Sequence, residues 1–151
     1  EPDHLFPVYQ LLFTLPGIPS VYYGSEWGIQ GARTRESDEA LRPALSLKDM
    51  EQKTGPITDH IAALARIHRD NPELHDGTYK ELLLTNRQCI FERKTDSERV
   101  LVAINADDQP FMAHFDAGCG TAVDLITGET HDFGGGSELA PYSAAYWKME
   151  R

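Results

Sequence analysis

Gly17-Ile18-Pro19-Ser20-Val21-Tyr22-Tyr23-Gly24-Ser25-Glu26 is the stretch on which the reading of this chain turns. Its centre, Ser20-Val21-Tyr22-Tyr23, is β-branched and aromatic and stops at Gly24. That content favours a strand, and the lack of alternation predicts burial on both faces, as in a parallel sheet. Gly17 and Gly24 allow a tight entry and exit. Just upstream, Leu5, Val8, Leu12 and Leu15 recur at three- and four-residue spacing, with Phe6, Leu11 and Phe13 widening the apolar stripe. This predicts a helix over 5–15 that wants cover on most sides, ended by Pro16-Gly17.

Downstream, residues 24–54 are polar, contain glycine and show no period, which predicts a long loop of the kind that often carries function. A second helix follows. Gly55-Pro56 marks its start, Ile57, Ile61, Leu64, Ala65 and His68 share a face, and Asn71-Pro72 stops it. From about residue 77 the rhythm changes to short strands: Tyr79–Leu84, Cys89–Arg93, Val100–Asn105, Phe111–Phe115, Ala122–Leu125 and Ala144–Met149. Turn residues separate them, among them Thr95-Asp96-Ser97, Thr127-Gly128 and Gly134-Gly135-Gly136. Strands at this spacing predict an antiparallel sandwich or barrel, with the boundary at 71–77.

One strand and two helices cannot bury their own apolar faces, so the first 75 residues need cover from the second domain or from elsewhere. The opening stretch suggests the answer. It resembles the eighth-strand motif G-x-P-x-x-x-x-G-x-E of the α-amylase family of glycoside hydrolases, with Gly17, Pro19, Gly24 and Glu26 at the fixed positions. Further matches follow in order. Arg69-Asp70-Asn71-Pro72-Glu73-Leu74 resembles the tail of the family's eighth barrel helix. Phe91-Glu92-Arg93 and Arg99–Asn105 resemble the first hairpin of its C-terminal β-domain, Asp124–Glu129 its "DLLTGE" turn, and Leu139–Ala144 its closing strand. Tyr23–Gly28 looks most like the neopullulanase and cyclomaltodextrinase branch.

The resemblance implies an α/β end of a (β/α)₈ barrel over 1–75, holding the last strand and flanking helices, and an all-β antiparallel sandwich over 76–151. It places Glu26 at the end of a barrel strand, where such barrels keep their active sites. It also implies a parent enzyme acting on α-glucosidic bonds with retention. That chemistry needs two carboxyl groups about 5–5.5 Å apart, and in the family these and a third carboxylate precede the eighth strand. No catalytic residue is therefore expected in this chain, which reads as an inactive C-terminal fragment. A whole barrel takes roughly 250 residues.

Substrate contacts are expected in the long loop. Asp38 and Arg42 reproduce a D-x-x-x-R arrangement that in relatives contacts a glucose unit on the non-reducing side. Charge-assisted bonds from a carboxylate and a guanidinium suit sugar hydroxyls; the alternative is a surface ion pair. Relatives often have Pro after the Asp, where Glu39 stands here. Trp27 offers a face for stacking on a sugar or for packing against barrel loops. Glu26 and Tyr23 read as structural, and Arg33 and Arg35 as solvated. His60, His68 and His75 lack metal-ligand spacing and read as helix-surface residues. Gly134-Gly135-Gly136 lacks the Lys-Ser/Thr of a phosphate loop. No metal and no cofactor are expected.

Composition narrows the partners. The net charge is −10, with −4 on residues 1–75 and −6 on 76–151. Acidic halves argue against nucleic acid and anionic lipid, and no apolar run approaches the ~20 residues that span a bilayer. Cys89 and Cys119 lack CxxC pairing and read as reduced thiols, which suits the cytoplasm. The start, Glu1-Pro2-Asp3-His4, is no signal peptide and has no initiator Met, as expected of an internal cut. The expected ligand is an α-glucan oligosaccharide bound by the full protein. A non-catalytic carbohydrate-binding or structural β-module is the competing reading. Uncovered barrel-facing surface on 5–23 predicts self-association.

Overall fold

The computed structural model describes residues 2–53 and 55–149. Helices α1 (Leu5–Leu12), α2 (Leu47–Met50) and α3 (Pro56–Asp70) precede eight strands. These are β1 (Thr78–Leu84), β2 (Gln88–Lys94), β3 (Arg99–Asn105), β4 (Phe111–Ala113), β5 (Thr121–Asp124), β6 (Thr130–Asp132), β7 (Ser137–Leu139) and β8 (Ser143–Lys148). Six form one sheet in the order β1-β2-β3-β8-β5-β6, and β4 pairs with β7 in a second. All of these strand pairs are antiparallel.

The large sheet is a middle layer. Because side chains alternate across a strand, Val100, Val102 and Ile104 of β3 face one way, together with Phe91 and Tyr146, and pack on Tyr9 and Phe13 from the α1 region and on Leu64 of α3. Leu101 and Ala103 face the other way and join Ile90, Trp147, Ala113 of β4 and Leu139 of β7. The β-sandwich is thus present, and the helical part is packed on its outer face.

Local chemistry explains the elements. Helix α3 begins with Pro56 at its first position after an extended Gly55, and carries Asp59 in its first turn and Arg69 in its last. Both charges suit the helix dipole. In the turn before β3, the Thr95 hydroxyl accepts from the Glu98 N–H at 3.0 Å. In the turn after β5, Asp124 accepts from the N–H groups of Ile126 (3.1 Å) and Tyr146 (3.0 Å) and from the Thr127 hydroxyl (3.1 Å).

Three carbonyls at the C-terminal end of α1 are held from outside the helix. The Tyr146 hydroxyl donates to Gln10 O at 2.5 Å, His68 Nδ1 to Phe13 O at 2.8 Å, and Arg93 Nη1 to Thr14 O at 2.5 Å. These are groups a helix terminus leaves without internal partners, or adjacent to them.

The structure corrects one expectation outright. Ser20–Tyr23 is not a strand and is not buried: the segment runs without ladder partners, with Ile18 96%, Tyr22 55% and Tyr23 46% exposed. A barrel strand is hydrogen-bonded along both edges, and every named strand among the described residues belongs to the two antiparallel sheets. The described residues thus do not show a barrel end. Strands β6 and β7 lie outside the sequence-predicted strands, since three residues each carry too little pattern to read.

Candidate functional site

Glycine geometry sets the course of the chain after α1. Gly17 turns at φ 122°, and Gly24 at φ 90° starts a short 3₁₀ turn, Ser25–Trp27, which Gly28 closes at φ 66°. The Thr58 hydroxyl of α3 donates to Glu26 O at 2.7 Å and ties this turn to the helix. A second 3₁₀ turn, Glu39–Leu41, lies between Asp38 and Arg42. It puts the two side chains on one side, and Arg42 Nη2 meets Asp38 Oδ2 at 3.2 Å. Both are largely exposed, so the pair is available to a ligand and contributes little to stability.

Two contacts join the loops. The Tyr22 hydroxyl donates weakly to Leu41 O at 3.5 Å, and Gly31 approaches the second turn so closely that a Cβ there would lie 2.0 Å from Ala40 O. Between the loops is an open groove of about 390 Å³ lined by Tyr22, Tyr23, Ile29, Leu41, Arg42 and Pro43, among others. The rings of Tyr22 and Tyr23 sit 4.9 Å apart. Partial desolvation, and then the neighbouring Tyr22, push the Tyr23 hydroxyl above its ordinary value, so it stays a neutral donor at neutral pH. Aromatic faces, hydroxyls and one guanidinium form a surface suited to a neutral polyol.

Asp38 and Arg42 therefore come together, with Arg42 on the groove. Trp27 does not line it. Its Nε1 is buried with no hydrogen-bond partner among the described residues, and so is Glu26 Oε2. Sequence reasoning misses Tyr22 and Gly31: the composition around Tyr22 predicts a buried strand, and a lone loop glycine carries no signal of what it will approach. Arg33 and Arg35 are exposed, as expected. His60 and His68 are partly buried against the α1 region, and His75 is exposed. Cys89 and Cys119 are free thiols. Among the described residues no cluster of His, Cys, Asp and Glu could hold a metal, and no helix is long and apolar enough to cross a membrane.

Comparison with known proteins gives the family. No family model matches the chain. The α-amylase MalA of Haloarcula japonica is 30% identical over 122 residues, which is 78% of this chain and 17% of that protein. The mouse amino acid transporter heavy chain SLC3A2 is 30% identical over 134 residues, 77% of this chain and 26% of that protein. Other relatives are cyclomaltodextrin glucanotransferases and a cyclomaltodextrinase. The crystal structure of the α-amylase of Geobacillus thermoleovorans with acarbose matches with a TM-score of 0.84 at 21% identity, covering all of this chain and 34% of that one. The chain belongs to the α-amylase family. It spans 17% of the length of MalA and 26% of that of the transporter heavy chain.

Proposed function

We propose that this chain is the C-terminal part of a retaining, α-glucan-active glycoside hydrolase or transferase. In this reading residues 1–75 complete a (β/α)₈ barrel, residues 76–151 brace it, and the 22–45 loops form part of the rim that holds a glucan. The observation that carries the proposal is Arg42 on the groove lined by Tyr22 and Tyr23, paired with the exposed Asp38 beside it. The carboxylate and guanidinium grip adjacent hydroxyls while a tyrosine ring offers a face to the sugar. Trp27 joins the rim only if the turn that carries it reopens in the longer protein. The orphaned Glu26 and Trp27 atoms and the exposed Ile18–Tyr23 segment support a missing neighbour. Bond cleavage needs the flanking carboxyl pair, which in this reading comes from outside the chain.

Titration with maltotriose, followed by calorimetry, tests the rim. Saturable millimolar binding is expected. Asp38→Ala should abolish it while moving stability by less than about 1 kcal/mol, because the pair is exposed. No hydrolysis of maltotriose, cyclodextrin or pullulan is expected of the chain alone, and turnover that disappears with Asp38→Ala would overturn the fragment reading. Light scattering should show self-association through the exposed apolar residues of the 5–23 segment, Val8, Leu15, Ile18, Tyr22 and Tyr23. A second reading, a structural module without sugar binding, is favoured by the relative named as a transporter heavy chain. It predicts a flat titration.

A further inference from the structure

The seam between α1 and α3 is lined by histidines. His60 and His68 lie eight residues apart on α3, and each meets a phenylalanine from α1 or the turn after it. His60 stands edge-on to Phe6 at 5.0 Å and 62°, and His68 edge-on to Phe13 at 6.2 Å and 68°. The His68 ring is also hydrogen-bonded to backbone at Phe13, and the Phe6 backbone acts on His60 in the direction that favours its proton.

The His68 bond defines its proton. A carbonyl only accepts, so His68 carries its hydrogen on Nδ1, where it meets Phe13 O at 2.8 Å. Nε2 is then the basic nitrogen of His68. In His60 the Nε2 atom is buried and has no hydrogen-bond partner among the described residues. A proton added there becomes a charged donor with nothing to receive it, which is among the costliest things to bury.

The backbone of Phe6 and of Phe13 favours such a charge, burial outweighs it on both rings, and α1 supplies no carboxylate to add to it. Helix α1 carries no acidic residue in its first turn and no basic one in its last, and its sequence LFPVYQLL holds no charged side chain at all. The groups facing His68 are His75, whose ring lies 4.5 Å away and whose Nε2 donates to His68 O at 2.5 Å, and Arg93 of β2. Both push in the same direction, against a further positive charge. On β8, Tyr146 presents a neutral hydroxyl to Gln10 O. Of the carboxylates in the adjoining turns, Glu73 pairs with Lys148 at 3.1 Å, and Glu26 Oε2, like His60 Nε2, has no hydrogen-bond partner among the described residues. Burial, the largest influence on both rings, holds both imidazoles below their ordinary value.

We propose that the α1–α3 seam is an acid-labile latch, closed while His60 and His68 are neutral and opened when they take up protons. Opening frees α1 from the His68, Arg93 and Tyr146 contacts, and with it the 17–45 segment that follows. The consequence is local, because the core between β3 and the small sheet contains neither histidine.

Hydrogen exchange of the 151-residue chain, read by mass spectrometry and corrected for intrinsic rates, tests this at neutral pH and at about pH 5. Expected at the lower pH is a loss of protection in α1 of about tenfold or more, with β2 and β3 unchanged. In His60→Gln/His68→Gln, where an amide N–H replaces each ring donor, that pH dependence should vanish. Equal α1 protection at both pH values, or pH dependence that survives in the double variant, would overturn the proposal. Should the double variant fail to fold, imidazole proton resonances of the unaltered chain decide: titration of both rings below about 6.5 supports the latch, and titration of either at or above it sinks the idea.

Discussion

Arg93 shows how much one residue can organise. It is fully buried, and its guanidinium is met by carbonyls: Thr14 O at 2.5 Å, Gly77 O at 2.9 Å and His75 O at 3.3 Å. A planar fork of five donors can serve three acceptors from separate segments, and a lysine cannot. Arg93→Met should therefore cost about 2–4 kcal/mol, as buried carbonyls lose their donor. Arg93→Lys should recover only part of this, both read from urea midpoints. The role was not legible beforehand. Arg93 looked like one more polar position in a hairpin, and its acceptors lie 79, 18 and 16 residues away in sequence. Asp38 and Arg42 were legible because their contact is local, four residues apart across one turn. Gly31 was not, since its approach to Ala40 depends on the path of the whole loop.

At the scale of elements, turn chemistry was the most readable signal. Asp124 sits where the sequence suggested a tight turn, and its carboxylate accepts from two backbone N–H groups and one hydroxyl. Asp124→Ala should lower stability by about 2–3 kcal/mol, seen as an earlier urea transition, because one of those donors, Tyr146 N, is buried in β8. Helix α3 was equally readable from Gly55-Pro56 and Asn71-Pro72, which act within a few residues. Ser20–Tyr23 failed for the opposite reason. Its β-branched and aromatic content describes a segment fit for a sheet, but a strand exists only when neighbours supply hydrogen bonds along its edges. Composition reports the fitness and says nothing of the neighbour.

For the molecule as a whole, acid should matter more than the net charge suggests. His60, His68 and His131 are all held below their ordinary value, mainly by burial. The unfolded chain therefore binds more protons than the folded one as pH falls through the histidine range. The stability they contribute is complete above the ordinary histidine value of about 6.5 and is lost as pH drops toward their lower folded values. Urea midpoints should accordingly fall between neutral pH and about pH 5, and replacing all three histidines with glutamine should flatten that part of the profile. A profile that rises on acidification would contradict the burial of these rings.

Strand β3 has six of its seven residues buried. An ordinary half-covered strand keeps every second position free to vary, which gives a lineage room to drift without losing the fold. Arg99–Asn105 has no such free side, because one set of side chains packs on the helical layer and the other on the small sheet. Substitutions there strain one core or the other, so among descendants of this chain the strand should change slowest and without any two-residue rhythm. Change would concentrate instead in β1, whose first four residues are exposed, and in the loops around the groove, leaving the groove free to diverge over an almost fixed support.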